Sequence, residues 1–134
     1  MNPDYIERNT KACENGHFCE DYAKRVVPGL EWEGGLCDAR LNGVPVDVKG
    51  CEAWYPRRDK PNADKRAGMF TLDYYQQKEI ERENGFYFCI VHIGELVVKS
   101  FFVQACRIDY HRHAQKQVSW TTMQRLARGV NDKY

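Results

Sequence analysis

The sequence predicts an α/β fold in which helices cover both faces of a central mixed β-sheet. Three observations indicate this class: apolar residues recur with helical spacing before residue 28, Asn42-Gly43 marks a tight hairpin, and FYFCIVHI (86–93) is apolar on both faces. A strand with two apolar faces needs cover on each side, so helices must lie above and below the sheet. The chain of 134 residues has the length of a single domain, 1–134.

The first predicted element is a helix over about residues 4–27. Within it, an apolar stripe recurs at i, i+4, i+7 and i+8, formed by Cys19, Ala23, Val26 and Val27. Pro28-Gly29 cannot continue this pattern and ends the helix. We therefore expect the stripe to pack against the sheet.

A short strand in LEWEGGL precedes a hairpin that turns at Asn42-Gly43. A two-residue type I′ turn needs positive φ at both central positions, which Asn and Gly supply. With these two residues in the turn, partners across the hairpin have residue numbers that sum to 85. One face of the hairpin is then apolar, and on the other face Asp38 lies opposite Asp47.

The next segment, CEAWYPRRDKPNADKRAG (51–68), contains two prolines and many charged residues. This composition predicts a long exposed loop, and loops of this length are usually functional or disordered. Two interpretations of Trp54 and Tyr55 are open: they stack on bases, or they belong to the core.

Helix and strand patterns alternate in the rest of the chain. TLDYYQQKEIEREN (71–84) is an amphipathic helix with Thr71 as its cap and Asn84-Gly85 as its stop. After the apolar strand, Gly94-Glu95 forms a second tight turn into another strand, and a final helix lies in 118–130. The predicted order is helix, three strands, helix, two strands, helix.

Composition narrows the classes of function. The formal net charge is only +1, so any basic surface must be local. The six cysteines form no CxxC motif and no zinc-ligand spacing, which favours buried thiols in a reducing cytoplasm. With no signal peptide and no long apolar span, we expect a cytoplasmic protein without a membrane partner. His111 and His113 form a candidate metal pair, but such pairs near strand ends are more often solvated.

The opposed acids of the hairpin are the main functional signal. Like charges directly opposite each other in a sheet are destabilising, and their Cβ atoms lie roughly 4.5–5.5 Å apart. At that distance Asp38 and Asp47 can hold one cation. The alternative is a solvated face on which Arg40 and Lys49 neutralise both acids. That alternative does not explain why the two acids face each other.

Together with the order of elements, these residues resemble the PD-(D/E)XK nuclease superfamily. The matching residues are Glu20 on the first helix (GHFCEDYAKRV), Asp38 on one strand and Asp47-Val48-Lys49 on the next, and the resemblance covers about residues 16–93. Asp47 replaces the commoner glutamate, and Cys37 stands where a proline often precedes the first aspartate. The resemblance implies a restriction-endonuclease-like α/β/α sandwich, and the size is similar to that of archaeal Holliday-junction resolvases.

The resemblance also implies a role for each matched residue. Asp38 and Asp47 would bind the metal through their carboxylates, and Val48 would bind it through its backbone carbonyl. Glu20 would bind the metal directly or through water. Lys49 would position and activate the attacking water.

Further implied site residues lie on the second helix and in the long loop. In many members the helix after the lysine presents a glutamine to the site; Gln76 and Gln77 are the candidates, and Gln77 is placed in the predicted site. Alternatively, both glutamines are surface residues, and Glu20 simply pairs with Lys24 at i+4. Loops next to a metal site commonly contact phosphates. The basic residues predicted to bind nucleic acid are Arg57, Arg58, Lys65 and Arg66.

The implied activity is a metal-dependent nuclease that hydrolyses phosphodiester bonds in DNA, as an endo- or exodeoxyribonuclease. Such hydrolysis needs an oxygen-ligated cation and a positive group near the developing charge. Mg²⁺ is the expected cofactor, with Mn²⁺ as a substitute. DNA is the expected partner, RNA stays open, and a homodimer would match the resolvases. The alternatives are a non-catalytic nucleic-acid-binding module with the nuclease fold and a metal-regulated structural protein.

Overall fold

A computed structural model of the protein describes residues 16–33, 35, 37–55 and 65–127. Within these ranges the chain forms three α-helices, nine β-strands and a short 3-10 helix, Ala105–Arg107. In chain order the helices and strands are α1 (described part 16–26), β1 (Leu30–Trp32), β2 (Ala39–Leu41), β3 (Val44–Glu52), β4 (Trp54–Tyr55), β5 (Arg66–Ala67), β6 (Met69–Leu72), α2 (Tyr74–Arg82), β7 (Phe86–Ile93), β8 (Leu96–Gln104), β9 (Lys116–Ser119) and α3 (Trp120–Leu126).

Five strands form one mixed sheet in the order β1-β2-β3-β7-β8. β3 and β7 run parallel, with Val46 paired to Phe86, whereas the other neighbours in this sheet are antiparallel. A parallel pair needs a crossover connection, and the crossover from β3 to β7 contains α2. The predicted α/β class with a central mixed sheet is therefore confirmed.

Each face of the sheet has its own apolar cluster. On one face Cys19 and Ala23 of α1, and Val27 just after it, pack against β3 and β7 as predicted. The sequence predicts Val26 on the same stripe, but Val26 is 45% exposed. The other face is covered by α2, α3 and a separate two-stranded pair formed by β6 and β9. Tyr87 and Phe70 are among the largest fully buried side chains on that second face. β7 is buried along most of its length because both faces are covered.

The second helix begins later than the predicted range 71–84. Thr71 lies in β6, which pairs with β9, and the N-cap is Asp73, whose Oδ2 accepts a hydrogen bond from Gln76 N at 3.0 Å. The prediction of a Thr71 cap is wrong because Thr also suits a strand, and the pairing with β9 stabilises the strand. The predicted stop is confirmed, since Asn84 has a φ of 58° just after the last helical turn.

The segment 51–68 is regular at both ends, so the prediction of one long loop is wrong there. β3 continues through Glu52, and β4 and β5 pair as a two-stranded antiparallel ribbon. The paired residues, such as Trp54 and Ala67, are far apart in the sequence, so a local sequence pattern does not predict this ribbon. Arg57 and Arg58 lie outside the described residues.

A glycine fixes the base of this ribbon. A Cβ on Gly68 would lie 1.8 Å from the carbonyl oxygen of Glu52, so this close approach of two backbones requires glycine. Gly68 N–H donates to the Ala53 carbonyl, and the Gly68 carbonyl accepts from Trp120 N–H, both at 3.1 Å. The end of β3, the β6–β9 pair and α3 therefore meet at one residue.

Four of the five cysteines in the described ranges are buried, and all five are free thiols. Burial raises the pKa of the Cys19 thiol to about 11 and that of the Cys51 thiol to about 12. These thiols are neutral near pH 7, as expected for small apolar core residues. Separately, none of the described helices is long and apolar enough to cross a membrane.

Candidate active site

The hairpin at Asn42-Gly43 has the predicted register. Both turn residues have positive φ, 53° for Asn42 and 83° for Gly43. Ala39 pairs with Val46, and the residue numbers of every pair in this ladder sum to 85. The ladder ends at Ala39, which leaves Asp38 just beyond the end of β2.

Asp38 and Asp47 are in direct contact at this end of the hairpin. The Asp38 backbone N–H donates to Asp47 Oδ1 at 3.3 Å. The Val48 backbone N–H donates to Asp38 Oδ2 at 3.0 Å. Each carboxylate is therefore held by a backbone amide of the neighbouring segment, and the two acids lie next to each other as the register predicts.

Lys49 is the third charged group of the site. It lies two residues after Asp47 on β3 and therefore on the same face of the strand. Its Nζ is 3.0 Å from Asp47 Oδ2. The Lys49 side chain is 22% exposed, whereas the Asp47 side chain is only 2% exposed. The site thus combines a buried acid with a partly exposed base.

The first turn of α2 adds Gln76 to the site. Asp73 caps the helix through Gln76 N, and the Gln76 side chain donates from Nε2 to Asp47 Oδ1 at 2.9 Å. The sequence contains a signal for this arrangement, because an Asp followed three residues later by Gln is typical of a helix N-terminus. Here the glutamine side chain reaches toward β3 and Asp47.

Gln77 is not part of the site, and its predicted role there is wrong. Its side chain is completely buried, donates from Nε2 to the Ala105 carbonyl at 2.7 Å, and accepts from Tyr87 Oη–H at 2.6 Å. Successive helical residues point about 100° apart, so only one of two neighbouring glutamines can face Asp47. Gln77 instead joins α2 to β7 and the 3-10 helix.

Burial dominates the electrostatics of Asp47 and raises the pKa of its carboxyl group to about 7. The neighbouring Asp38 carboxylate also raises this pKa, whereas the Lys49 ammonium group lowers it. Near pH 7 the Asp47 carboxyl group is therefore partly protonated, even with the Lys49 ammonium group beside it. A divalent cation bound by this carboxylate would favour its ionised form.

Glu20 is not brought to the two aspartates. α1 packs on the opposite face of the sheet, against Val46 and Phe88, whereas Asp47 points toward α2. Among the described residues no group of three or more His, Cys, Asp or Glu side chains could hold a metal ion. The described structure therefore does not support Glu20 as a direct ligand, because α1 packs on the other face of the sheet. The predicted role of Glu20 through a bound water stays a prediction.

Asp38 and Asp47 supply the two carboxylates of the predicted Mg²⁺ site. Asp47 Oδ2 is buried, and the Lys49 ammonium group lies 3.0 Å from it. Mg²⁺ is usually held by one or two carboxylates together with several waters, so two aspartates are sufficient. The Val48 carbonyl stays a predicted additional ligand.

Arg40 does not neutralise the acidic pair, contrary to the solvated-face alternative. Its Nε lies 3.0 Å from Glu33 Oε2, and its Nη1 lies 3.2 Å from Glu83 Oε1. The pair with Glu33 ties the hairpin to the end of β1, and the pair with Glu83 ties it to the end of α2. Lys49 is therefore the cation that the structure places against Asp47.

Two of the predicted nucleic-acid-binding residues and both candidate metal-binding histidines lie in the described ranges. Lys65 is exposed, and Arg66 lies exposed on β5. His113 stacks on the ring of Tyr74 with centroids 4.1 Å apart, and His111 pairs with Asp109. Each histidine thus has a partner of its own, Tyr74 for His113 and Asp109 for His111.

Comparison with known proteins adds no further constraint: no family model matches the chain, and no curated protein or solved structure matches it either.

Proposed function

We propose that the protein is a metal-dependent nuclease that hydrolyses phosphodiester bonds in DNA. The observation that supports this most strongly is the meeting of Asp38, Asp47 and Lys49, with Asp47 buried beside a second acid. A hairpin with a purely structural role gains nothing from desolvating one acid next to another. A bound divalent cation would compensate both charges.

Each residue of the site has a separate role in the proposed reaction. Asp38 and Asp47 hold Mg²⁺, or Mn²⁺ in its place, through carboxylate oxygens. When bound, the cation polarises the phosphate and lowers the pKa of water. Lys49 is itself positive and does not bind the cation; it orients the attacking water and stabilises the charge that develops on the phosphate. Gln76 positions the Asp47 carboxylate through Oδ1.

The order of elements supports a restriction-endonuclease-like fold, as in the PD-(D/E)XK nucleases. A helix precedes an antiparallel β1-β2-β3 unit, α2 crosses over, and β7 pairs in parallel with β3. Asp47 and Lys49 lie on β3, Asp38 lies just before β2, and α2 packs next to them. The same surroundings place Gln76 against Asp47.

A cleavage assay on site variants tests this proposal. Labelled junction, duplex, flap and single-stranded DNA are incubated with the protein and Mg²⁺ or Mn²⁺, and calorimetry measures Mg²⁺ binding to the same samples. We expect Asp38→Asn to lose both Mg²⁺ binding and cleavage. Lys49→Ala should lose cleavage but bind Mg²⁺ at least as tightly, because a repelling charge is removed.

Matched controls lie on α1. Asp21→Asn and Lys24→Ala make the same kinds of substitution at exposed positions of the helix that covers the opposite sheet face. Both variants should cleave as the wild type does. Normal cleavage by Lys49→Ala, or equal losses in the two α1 variants, would contradict the proposed site.

A non-catalytic nucleic-acid-binding module is the second candidate. It is favoured by the finding that the described residues join no third His, Cys, Asp or Glu side chain to the pair in a metal-binding group. If this candidate is correct, the wild type binds DNA in the same panel but cuts none of the substrates with either metal.

A further inference from the structure

Four aromatic rings meet at the N-terminal end of α2. Tyr74 and Tyr75 begin the helix, and Tyr110 and His113 belong to the segment between the 3-10 helix and β9. The Tyr74 ring stacks on the His113 ring with centroids 4.1 Å apart and meets the Tyr110 ring edge to face at 5.6 Å. The Tyr75 ring meets the Tyr74 and His113 rings edge to face, at 5.5 and 6.1 Å. These four residues, which we call the ring cluster, are therefore in mutual contact.

The inner rings of the cluster hold the outer rings in place. Tyr110 is buried, and its hydroxyl donates to the Leu72 carbonyl at the end of β6 at 3.1 Å. Tyr74 is half-buried and packs against the apolar core of the same sheet face. Tyr75 is 65% exposed, and His113 is exposed beside it. Because the outer rings pack on ordered neighbours, they lose little conformational entropy when a partner binds.

The segment that carries His113 is locally basic, although the whole chain is nearly neutral. Residues 109–116 contain two permanent cations, Arg112 and Lys116, and two histidines against one acid, Asp109. That acid is already paired with His111. Arg112 is exposed and directly precedes His113 in the chain. The charge on this side of the rings therefore suits an anionic partner.

Charged residues of α2 border the same rings. Lys78 Nζ lies 5.5 Å from the centroid of the Tyr74 ring and 3.6 Å from Glu81 Oε2. Asp73, at the start of the helix, uses its carboxylate to accept the cap hydrogen bond from Gln76 N. The acids next to the rings on either segment are thus engaged with partners, and a cation contacts the cluster directly.

We infer that the ring cluster binds an unpaired base of single-stranded DNA, with Tyr75 and His113 as the stacking surfaces. Proteins that bind single strands combine aromatic rings, on which bases stack, with cations that contact phosphates. A duplex buries its base faces in its own stack, so exposed rings favour a single strand. The cations disfavour an apolar protein segment as the occupant.

The ring cluster and the proposed active site share the first turn of α2. Tyr75 directly precedes Gln76, whose Nε2 donates to Asp47 Oδ1 at 2.9 Å. Side chains on different flanks of one turn are separated by about the width of a helix, roughly 10–12 Å. That width corresponds to about three nucleotides of one strand. The inference rests on the proposed function for its role: a substrate with an unpaired segment beside the bond to be cut.

A binding assay in EDTA separates the ring cluster from catalysis. Fluorescence anisotropy of fluorescein-labelled oligothymidine reports the affinity of the full chain. We expect Tyr75→Ala to weaken binding roughly 5- to 150-fold, the loss typical of one base stacked on an aromatic ring. Tyr75→Phe keeps the ring and should retain most of the affinity, whereas Tyr75→Leu keeps apolar bulk without a ring and should lose it.

The charge of Arg112 is tested by a salt titration of the same binding. Arg112→Ala should weaken binding and lower the slope of log affinity against log salt by about 1, as expected for the loss of one phosphate contact. Arg25→Ala is the matched control, because Arg25 is exposed on α1, which covers the opposite face of the sheet. Its slope should equal that of the wild type.

Leu96→Ala is the control for the ring substitutions, because Leu96 is 66% exposed at the start of β8 and lies outside the ring cluster. Its affinity for oligothymidine should equal that of the wild type. An equal loss in Leu96→Ala, or unchanged affinity in both Tyr75→Ala and His113→Ala, would overturn the inference. Unchanged affinity together with self-association that Tyr75→Ala abolishes would overturn it in favour of an interface between two copies.

The two proposals fail in different ways. If the wild type cuts no substrate but Tyr75→Ala still loses oligothymidine affinity, the nuclease proposal fails and the role of the ring cluster stands. If Lys49→Ala abolishes cleavage while Tyr75→Ala binds oligothymidine normally, the role of the ring cluster fails and the nuclease proposal stands.

Discussion

The Asp47 carboxyl group links ionisation to folding. In the folded protein its pKa is about 7, because burial disfavours the charged form, whereas the ordinary value is 3.8. Between these two values the folded state binds more protons than the unfolded state. The free energy of unfolding therefore falls as pH rises through this window. The contribution is fully present below the unfolded pKa and is lost as pH reaches the folded pKa.

We therefore expect the wild type, in EDTA, to lose roughly 4 kcal/mol of stability through Asp47 between about pH 4 and about pH 8. Asp47→Asn removes the titrating group and should flatten this dependence. Asp21→Asn, at an exposed position on α1, should retain it. Urea denaturation followed by circular dichroism at several pH values measures the difference. A slope that persists in Asp47→Asn would assign the dependence to another group.

The centre of the site could be predicted because one dipeptide determines the register. Asn42-Gly43 fixes which residues pair, and the pairing places Asp38 next to Asp47 and puts Lys49 on the same face as Asp47. Glu20 could not be placed in this way. Its position depends on which sheet face α1 covers, and an amphipathic stripe does not specify the face.

The first residue of α2 determines which of two neighbouring glutamines contacts Asp47. The helix begins at Tyr74, after the Asp73 cap, and this start directs Gln76 toward Asp47 and Gln77 into the core. The sequence contains both glutamines and a plausible earlier cap at Thr71. Without the exact start, the two side chains cannot be distinguished by pattern alone.

The two glutamines should therefore respond differently to substitution. Gln77→Ala leaves the Tyr87 hydroxyl and the Ala105 carbonyl without their partner and should cost about 2 kcal/mol or more. Gln76→Ala should change stability by less than about 1 kcal/mol but weaken Mg²⁺ binding by disturbing Asp47. Thermal melts and calorimetry on both variants provide the test. Equal destabilisation by the two substitutions would contradict the assignment.

The strands that the sequence does not reveal are those paired over long distances. Met69 of β6 pairs with Ser119 of β9, although about 50 residues separate them. Both strands are only four residues long, and neither has a hairpin turn beside it. Strand formation there depends on burial against the sheet, so local propensity is a weak guide. β7 was predictable because its eight residues are apolar on both faces.

Gly68 connects the parts of the molecule that pack on one face of the sheet. Its backbone bonds to Ala53 and to Trp120, and it leaves no space for a side chain beside Glu52. Gly68→Ala must displace the backbone of β3 or β6, and we expect a loss of about 3 kcal/mol. Urea denaturation measures this loss.

Gly16→Ala is the control for that substitution. Gly16 lies in α1, and a Cβ there would meet no atom within 4 Å. Alanine should stabilise this helix by about 0.5–1 kcal/mol relative to glycine. If Gly68→Ala were as stable as the wild type, the close approach at Glu52 would not constrain the fold.

The parallel pairing of β3 with β7 bears on the expected order of folding. Val46 pairs with Phe86, about 40 positions later, whereas the hairpin of β2 and β3 closes over two turn residues. Loop closure costs more entropy for distant partners, so we expect the hairpin to form early and β7 to dock late. In that order Asp38 and Asp47 meet while both are still hydrated, and Asp47 loses its water when the sheet is completed. We therefore expect the repulsion between the two acids to accelerate unfolding more than it slows folding.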